Sequence, residues 1–203
     1  MCKKHHLSIM DRDLKTAEEC LQSMAEATDL DTFETEWEHF LYRIERVWER
    51  TEKKYKHHKA FQKWFSPYQE LRKKDPLVRY LKQARNAETH SLQGTLSSPL
   101  NISLKEKYGR DFNIKSITTK LENKCLTINV ESDDLILELD PKIFRTTPHV
   151  VRIKNRGKWF NPPTSHLGNP LNEDNPIILG HMGLDLCKVL VAQSIEIFEH
   201  EKT

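Results

Sequence analysis

The sequence predicts a mainly helical α+β protein: an antiparallel helical bundle, a small antiparallel β insertion, and a C-terminal helix returning to the bundle. Three observations lead there. Apolar residues recur at spacings of three and four from Leu14 to Ser91. Short alternating segments of Ile, Val, Leu and Thr replace them after Ser97-Ser98-Pro99. Helical spacing then resumes from Leu184 to Phe198. These boundaries divide the chain into a bundle over 1–96, an insertion with a proline-rich loop over 97–170, and a returning helix over 171–203, all within one compact domain.

The first helix is expected to start near Asp11 or Asp13 and to stop around Thr28-Asp29, with Leu14, Ala17, Leu21, Met24 and Ala25 on one face. Asp31 or Thr32 is the expected cap of the second, whose stripe runs through Trp37, Phe40, Leu41, Ile44, Val47 and Trp48. Both tryptophans share that stripe and are read as core anchors. A third stretch carries Phe61, Trp64, Phe65, Tyr68 and Leu71, with Ser66-Pro67 as a boundary or restart. Asp75-Pro76 repeats the cap-then-proline pattern before Leu77, Leu81, Ala84, Ala87 or Glu88, and Ser91, and Gly94 is the expected stop. Five short antiparallel strands follow, at 114–121, 125–130, 135–139, 150–154 and 158–160, with turns at 122–124 and 155–157. Residues 161–176 read as loop. The final helix shows Leu184, Cys187, Val191, Ile195 and Phe198 on one face.

Composition narrows the functional classes. Cys2, Cys20, Cys125 and Cys187 lie far apart and form no pair at zinc spacing, so a reducing compartment and no bound metal are expected. The basic N-terminus has no signal-length apolar run behind it. The most apolar window, 176–192, contains His181, Asp185, Lys188 and two glycines, which argues against a membrane span and for the cytoplasm. There is no serine-histidine-acid order, glycine-rich phosphate loop or dinucleotide fingerprint, and no cofactor is expected.

The formal charge of +2 conceals an uneven distribution: Arg50 to Arg85 holds twelve Lys/Arg against Glu52, Glu70 and Asp75. Such a stretch suits a nucleic-acid-facing surface, with Lys73, Lys74, Arg79 and Lys82 as candidate RNA contacts. Solvated helix surface is the plain alternative.

The basic stretch ends on Arg85-Asn86-Ala87-Glu88-Thr89-His90. Asn86 and His90 are four apart and share a helix face, whereas Arg85 and His90 differ by about 140°, an angle that a long arginine can bridge. Histidine titrates near neutral pH and can take a proton from a ribose 2′-hydroxyl or give one to a leaving 5′-oxygen. Arginine presents a fixed fork to phosphate oxygens, and asparagine orients either partner without adding charge. No metal is required. Glu88 within the hexad and His166, on a rigid loop after Pro162-Pro163, are candidate accessory residues.

A helix-terminal Arg-x4-His with a polar residue directly after the arginine resembles the motif of the HEPN superfamily, small helical bundles of which many are metal-independent endoribonucleases. The resemblance spans residues 85–90 in their helical context. Thr89 stands where some toxin members carry tyrosine, and the strand region lies outside the family's core pattern. It implies Arg85 and His90 as catalytic residues with Asn86 as helper, RNA as substrate, and a homodimer that pairs two motifs at one cleft. In a toxin–antitoxin setting it also implies an antitoxin protein as partner. The rival reading is a non-catalytic binding or assembly protein whose β insertion recognises a partner or small ligand.

Overall fold

The computed structural model describes residues 8–90, 95–97, 116–122, 125–131 and 148–199; the side chains of 88–90, 97, 116–122 and 125–131 lie outside that description. Five helices dominate: α1 (Ile9–Glu26), α2 (Leu30–Tyr55), α3 (Phe61–Lys74), α4 (Pro76–His90) and α5 (Pro176–Glu199). The fold is α+β and mainly α, as the hydrophobic periodicity predicts. Strands β1 (Leu96–Ser97), β2 (Ser116–Glu122), β3 (Cys125–Glu131), β4 (His149–Val150), β5 (Ile153–Asn155), β6 (Lys158–Phe160), β7 (Ser165–His166) and β8 (Asn169–Pro170) form four antiparallel pairs: β1 with β4, β2 with β3, β5 with β6, and β7 with β8.

Local caps settle the helix starts. Ser8 begins α1, accepting from the Asp11 amide while the Asp11 carboxylate accepts from the Ser8 amide, so the helix opens earlier than Asp11. Asp29, not Asp31 or Thr32, caps α2: its carboxylate accepts from the Thr32 amide at 2.7 Å and from the Thr32 hydroxyl at 2.8 Å. Pro67 lies inside α3 without ending it. Phe61, Phe65 and Tyr68 stay buried on both sides of the proline, and this packing outweighs the lost amide donor.

Asp13 near the start of α1 faces Arg43, Arg46 and Arg50 late in α2, so the two helices run antiparallel. On α5, Gly180 lies against Leu21 and Phe40, and the Glu199 carboxylate pairs with Lys54 at the end of α2. That helix therefore runs against α1 and along α2. A Cβ on Gly180 would stand 2.5 Å from Leu21 Cδ2, and one on Gly183 2.5 Å from Leu81 Cδ1. Hydrogen at these positions lets α5 approach closely. Among the described residues, α5 is the one helix long and apolar enough to cross a membrane. In this fold it buries Leu179, Leu184, Cys187, Leu190, Val191 and Phe198 in the shared core.

The chain forms two compact units, 1–98 with 147–203, and 99–146. The second contains the β2–β3 hairpin, in register from Ser116 opposite Glu131 to Glu122 opposite Cys125. The strand expected at 135–139 and the helix stop at Gly94 fall outside the described residues. Residues 147–170, assigned to the insertion by composition, belong instead to the helical unit, because Val150 and Ile153 are buried in its core. The strand expected at 150–154 is two strands. Between them the Val151 amide donates to the Thr95 carbonyl and the Val151 carbonyl accepts from the Tyr80 hydroxyl at 2.7 Å. The loop expected at 161–176 contains the β7–β8 hairpin, closed by Leu167 and Gly168 at φ 50° and 82°.

Candidate active site

The candidate hexad ends α4, a helix held firmly by its apolar side. Leu77, Leu81, Ala84 and Ala87 are all buried. Asp75, extended as the residue before a proline must be, stops α3 and caps α4, accepting from the Val78 amide at 3.0 Å. Beyond the helix, Trp37 Nε1 donates to Thr95 Oγ1 at 3.0 Å and fixes the chain again.

In the last turns, Arg85 and Asn86 are both half-buried, and Arg85 Nη1 donates to Asn86 Oδ1 at 3.2 Å. The guanidinium and the carboxamide are thus brought together. His90 is the final residue of α4, four positions past Asn86; its side chain, like that of Glu88, lies outside the described residues.

His166 goes elsewhere. Its Nδ1 lies 3.1 Å from Asp75 Oδ1, at the opposite end of α4, while the Leu167 amide donates to Asp75 Oδ2 at 2.7 Å. Ten residues of helix separate Asp75 from Arg85, about 15 Å along the axis. Burial alone would raise the Asp75 carboxyl, but the amides of Val78 and Leu167 together with His166 outweigh it and hold the group below the usual aspartate range.

Five of the twelve cations of the basic stretch are paired, three with acids that folding brings from other helices and two with Glu70 of the same helix. Arg50 pairs with Asp13, Lys54 with Glu199, Arg72 with Glu45, and Lys73 and Lys74 share Glu70. Lys82 is half-buried, and burial followed by the charge of Arg72 pulls it below the usual lysine range. Arg79 opens onto a cleft of about 290 Å³, shared with Tyr80, Trp159, Phe160, Asn161 and Thr164.

Sequence reasoning passed over the far wall of that cleft. The β5–β6 hairpin exposes Arg152, Lys154, Arg156, Lys158 and Trp159. Trp159 is 47% exposed, with the Arg152 guanidinium 4.3 Å and Lys154 Nζ 5.6 Å from its ring centre. The run Arg152-x-Lys154-x-Arg156-x-Lys158-Trp159 was the available signal, in a stretch without any acidic residue between Asp140 and Glu173.

Other reactive groups are out of play. Burial, reinforced at Cys20 by Glu36, pushes the Cys20 and Cys187 thiols up to about 12. Among the described residues no group of three or more His, Cys, Asp or Glu is gathered to hold a metal ion. The structure thus defines a helical bundle with an arginine–asparagine pair at the end of one buried helix. Compared with protein-family models, curated proteins and solved structures, the chain gives no significant match.

Proposed function

We propose that this chain is a metal-independent endoribonuclease of HEPN type, acting in the cytoplasm as a homodimer, with an antitoxin protein as partner where it belongs to a toxin pair. The observation that carries this reading is the Arg85–Asn86 hydrogen bond in the last turns of α4, on a helix whose far side is locked in the core and whose final residue is His90. A site on a packed helix holds its groups more closely than one on a loop.

The imidazole of His90 takes the proton of a ribose 2′-hydroxyl as that oxygen attacks the adjacent phosphorus. The new O2′–P bond forms as the P–O5′ bond breaks, and the 5′-oxygen leaves with a proton given by the protonated imidazole of the second motif in the dimer. The products are a 2′,3′-cyclic phosphate and a 5′-hydroxyl. Arg85 offers its guanidinium to the non-bridging oxygens, where charge accumulates in the transition state. Asn86 braces that guanidinium by accepting its Nη1 hydrogen.

The test is direct. Labelled RNA incubated with excess chelator should yield fragments with cyclic phosphate ends, and His90→Ala and Arg85→Ala should each abolish cutting while leaving the fold intact. RNA that stays whole under native protein refutes the reading and leaves a binding module. Crosslinking checks the assembly, because a monomer cannot pair two motifs.

A further inference from the structure

We infer that the cleft between α4 and the β5–β6 hairpin binds single-stranded RNA, one base stacking on Trp159 and the flanking phosphates meeting Arg152, Lys154 and Arg79. This site deepens the ribonuclease reading and rests on it for the choice of RNA. Its geometry stands on separate residues.

The hairpin is a preorganised platform. Ile153 is 1% exposed and seats β5 in the core, and Asn155 Nδ2 donates to Gln83 Oε1 of α4 at 2.7 Å. Arg156 and Gly157, at φ 48° and 78°, make the two-residue turn whose twist matches paired strands. In this register Lys154 stands opposite Trp159, on the face away from Ile153 and Asn155, and Arg152 shares that outward face by the alternation of the strand. An indole thus stands in solvent, bordered by cations.

Charge tells which occupant fits. Arg79, Arg152, Lys154, Arg156 and Lys158 form no ion pair with any described carboxylate, in contrast to the neutralised lysines of α3. An aromatic face beside unneutralised cations matches a polymer that carries one anion and one flat ring per repeat. A single strand exposes that ring; a duplex hides it in the stack. The position is also suitable. Arg79, Gln83, Asn86 and the backbone position of His90, spaced four, three and four residues apart, fall on one stripe of α4, so the cleft shares a side of the helix with those two hexad positions, while Arg85 lies about 120° around from it.

The experiment measures binding apart from cleavage. A labelled 2′-O-methyl oligouridylate of about ten nucleotides lacks the attacking hydroxyl and reports affinity by fluorescence anisotropy at low salt. Trp159→Ala should weaken binding about ten-fold or more, and Trp159→Phe, which keeps a stacking ring, should restore most of it. The double variant Arg152→Ala/Lys154→Ala should reduce the slope of log affinity against log salt by about 1.4, the loss of two phosphate contacts. Lys15→Ala, which removes an exposed lysine of α1 paired with Glu19, should leave affinity unchanged. Circular dichroism confirms that each variant is folded.

The site is refuted if native protein does not bind the oligonucleotide, or if Trp159→Ala binds as native does. Equal loss in Lys15→Ala, or equal competition by duplex RNA or polyglutamate, refutes it as well. Tight Trp159-dependent binding without cutting of unmodified RNA overturns the ribonuclease reading and leaves this site standing. Cutting that survives unchanged in Trp159→Ala does the reverse.

Discussion

The two ends of α4 carry similar inventories of polar groups put to different uses. At the N-terminal end Asp75, His166 and the amides of Val78 and Leu167 satisfy one another, and Asp75 and His166 are almost wholly shielded, their side chains 4% and 12% exposed. At the C-terminal end Arg85 and Asn86 are half-buried and joined by one hydrogen bond. A constellation whose donors and acceptors are mutually saturated holds elements together. One that is only half-buried at a helix end stays within reach of a ligand. The carboxylate at the first end ties β7 to α4, whereas a phosphate is the proposed counterpart of the guanidinium at the other.

Substitutions can break this contrast. His90→Ala and Arg85→Ala should each lower the rate of RNA cutting about 100-fold or more, as loss of a proton-transfer group or phosphate clamp does. Thermal unfolding should move by only a few degrees, about 1 kcal/mol or less. Large destabilisation by Arg85→Ala would make both ends structural. Asp75→Ala should show the opposite profile, losing about 2 kcal/mol in urea unfolding because a cap and two further hydrogen bonds vanish together. Cutting per folded molecule should hold within about two-fold, since the group acts about 15 Å from the hexad.

His166→Ala sharpens the comparison further. It removes one partner of Asp75 and should cost about 1 kcal/mol without altering the pH profile of cutting. A changed profile would return His166 to the chemistry. The smallest effect concerns acid. Because folding depresses the Asp75 carboxyl, its stabilising contribution is complete above the ordinary aspartate value of about 4 and disappears as pH falls through the lower folded value. Asp75→Asn should flatten the dependence of unfolding free energy on pH below about 4, measured by urea titration at several acidic values.

Gly180 tests the core on which both ends depend. Gly180→Val must displace Leu21, itself fully buried, and should cost about 1–3 kcal/mol in chemical denaturation.

The helices were legible because their information is local. Apolar spacing placed all five, and the Asp75-Pro76 pair located the start of α4 and so the turns that bear Arg85 and Asn86. Starts were misread where two capping groups competed within three residues, as with Asp29 and Asp31. Pro67 was misread as a boundary because packing, which no local rule contains, overrode its lost donor. The ion pairs of the basic stretch were illegible for a related reason: Asp13, Glu45 and Glu199 reach parts of it from other helices.

What the amino-acid order determined by itself is therefore the set of helices, the cap before Pro76 and the coincidence of Arg85, Asn86 and His90 at one helix end, all set by interactions within a few residues. Only the tertiary structure decided that His166 serves Asp75, that the β5–β6 hairpin lies on α4, and that Trp159 faces Arg79 across a cleft. Those pairings join residues about seventy to ninety positions apart, and burying the intervening apolar surface, rather than any local preference, selects them.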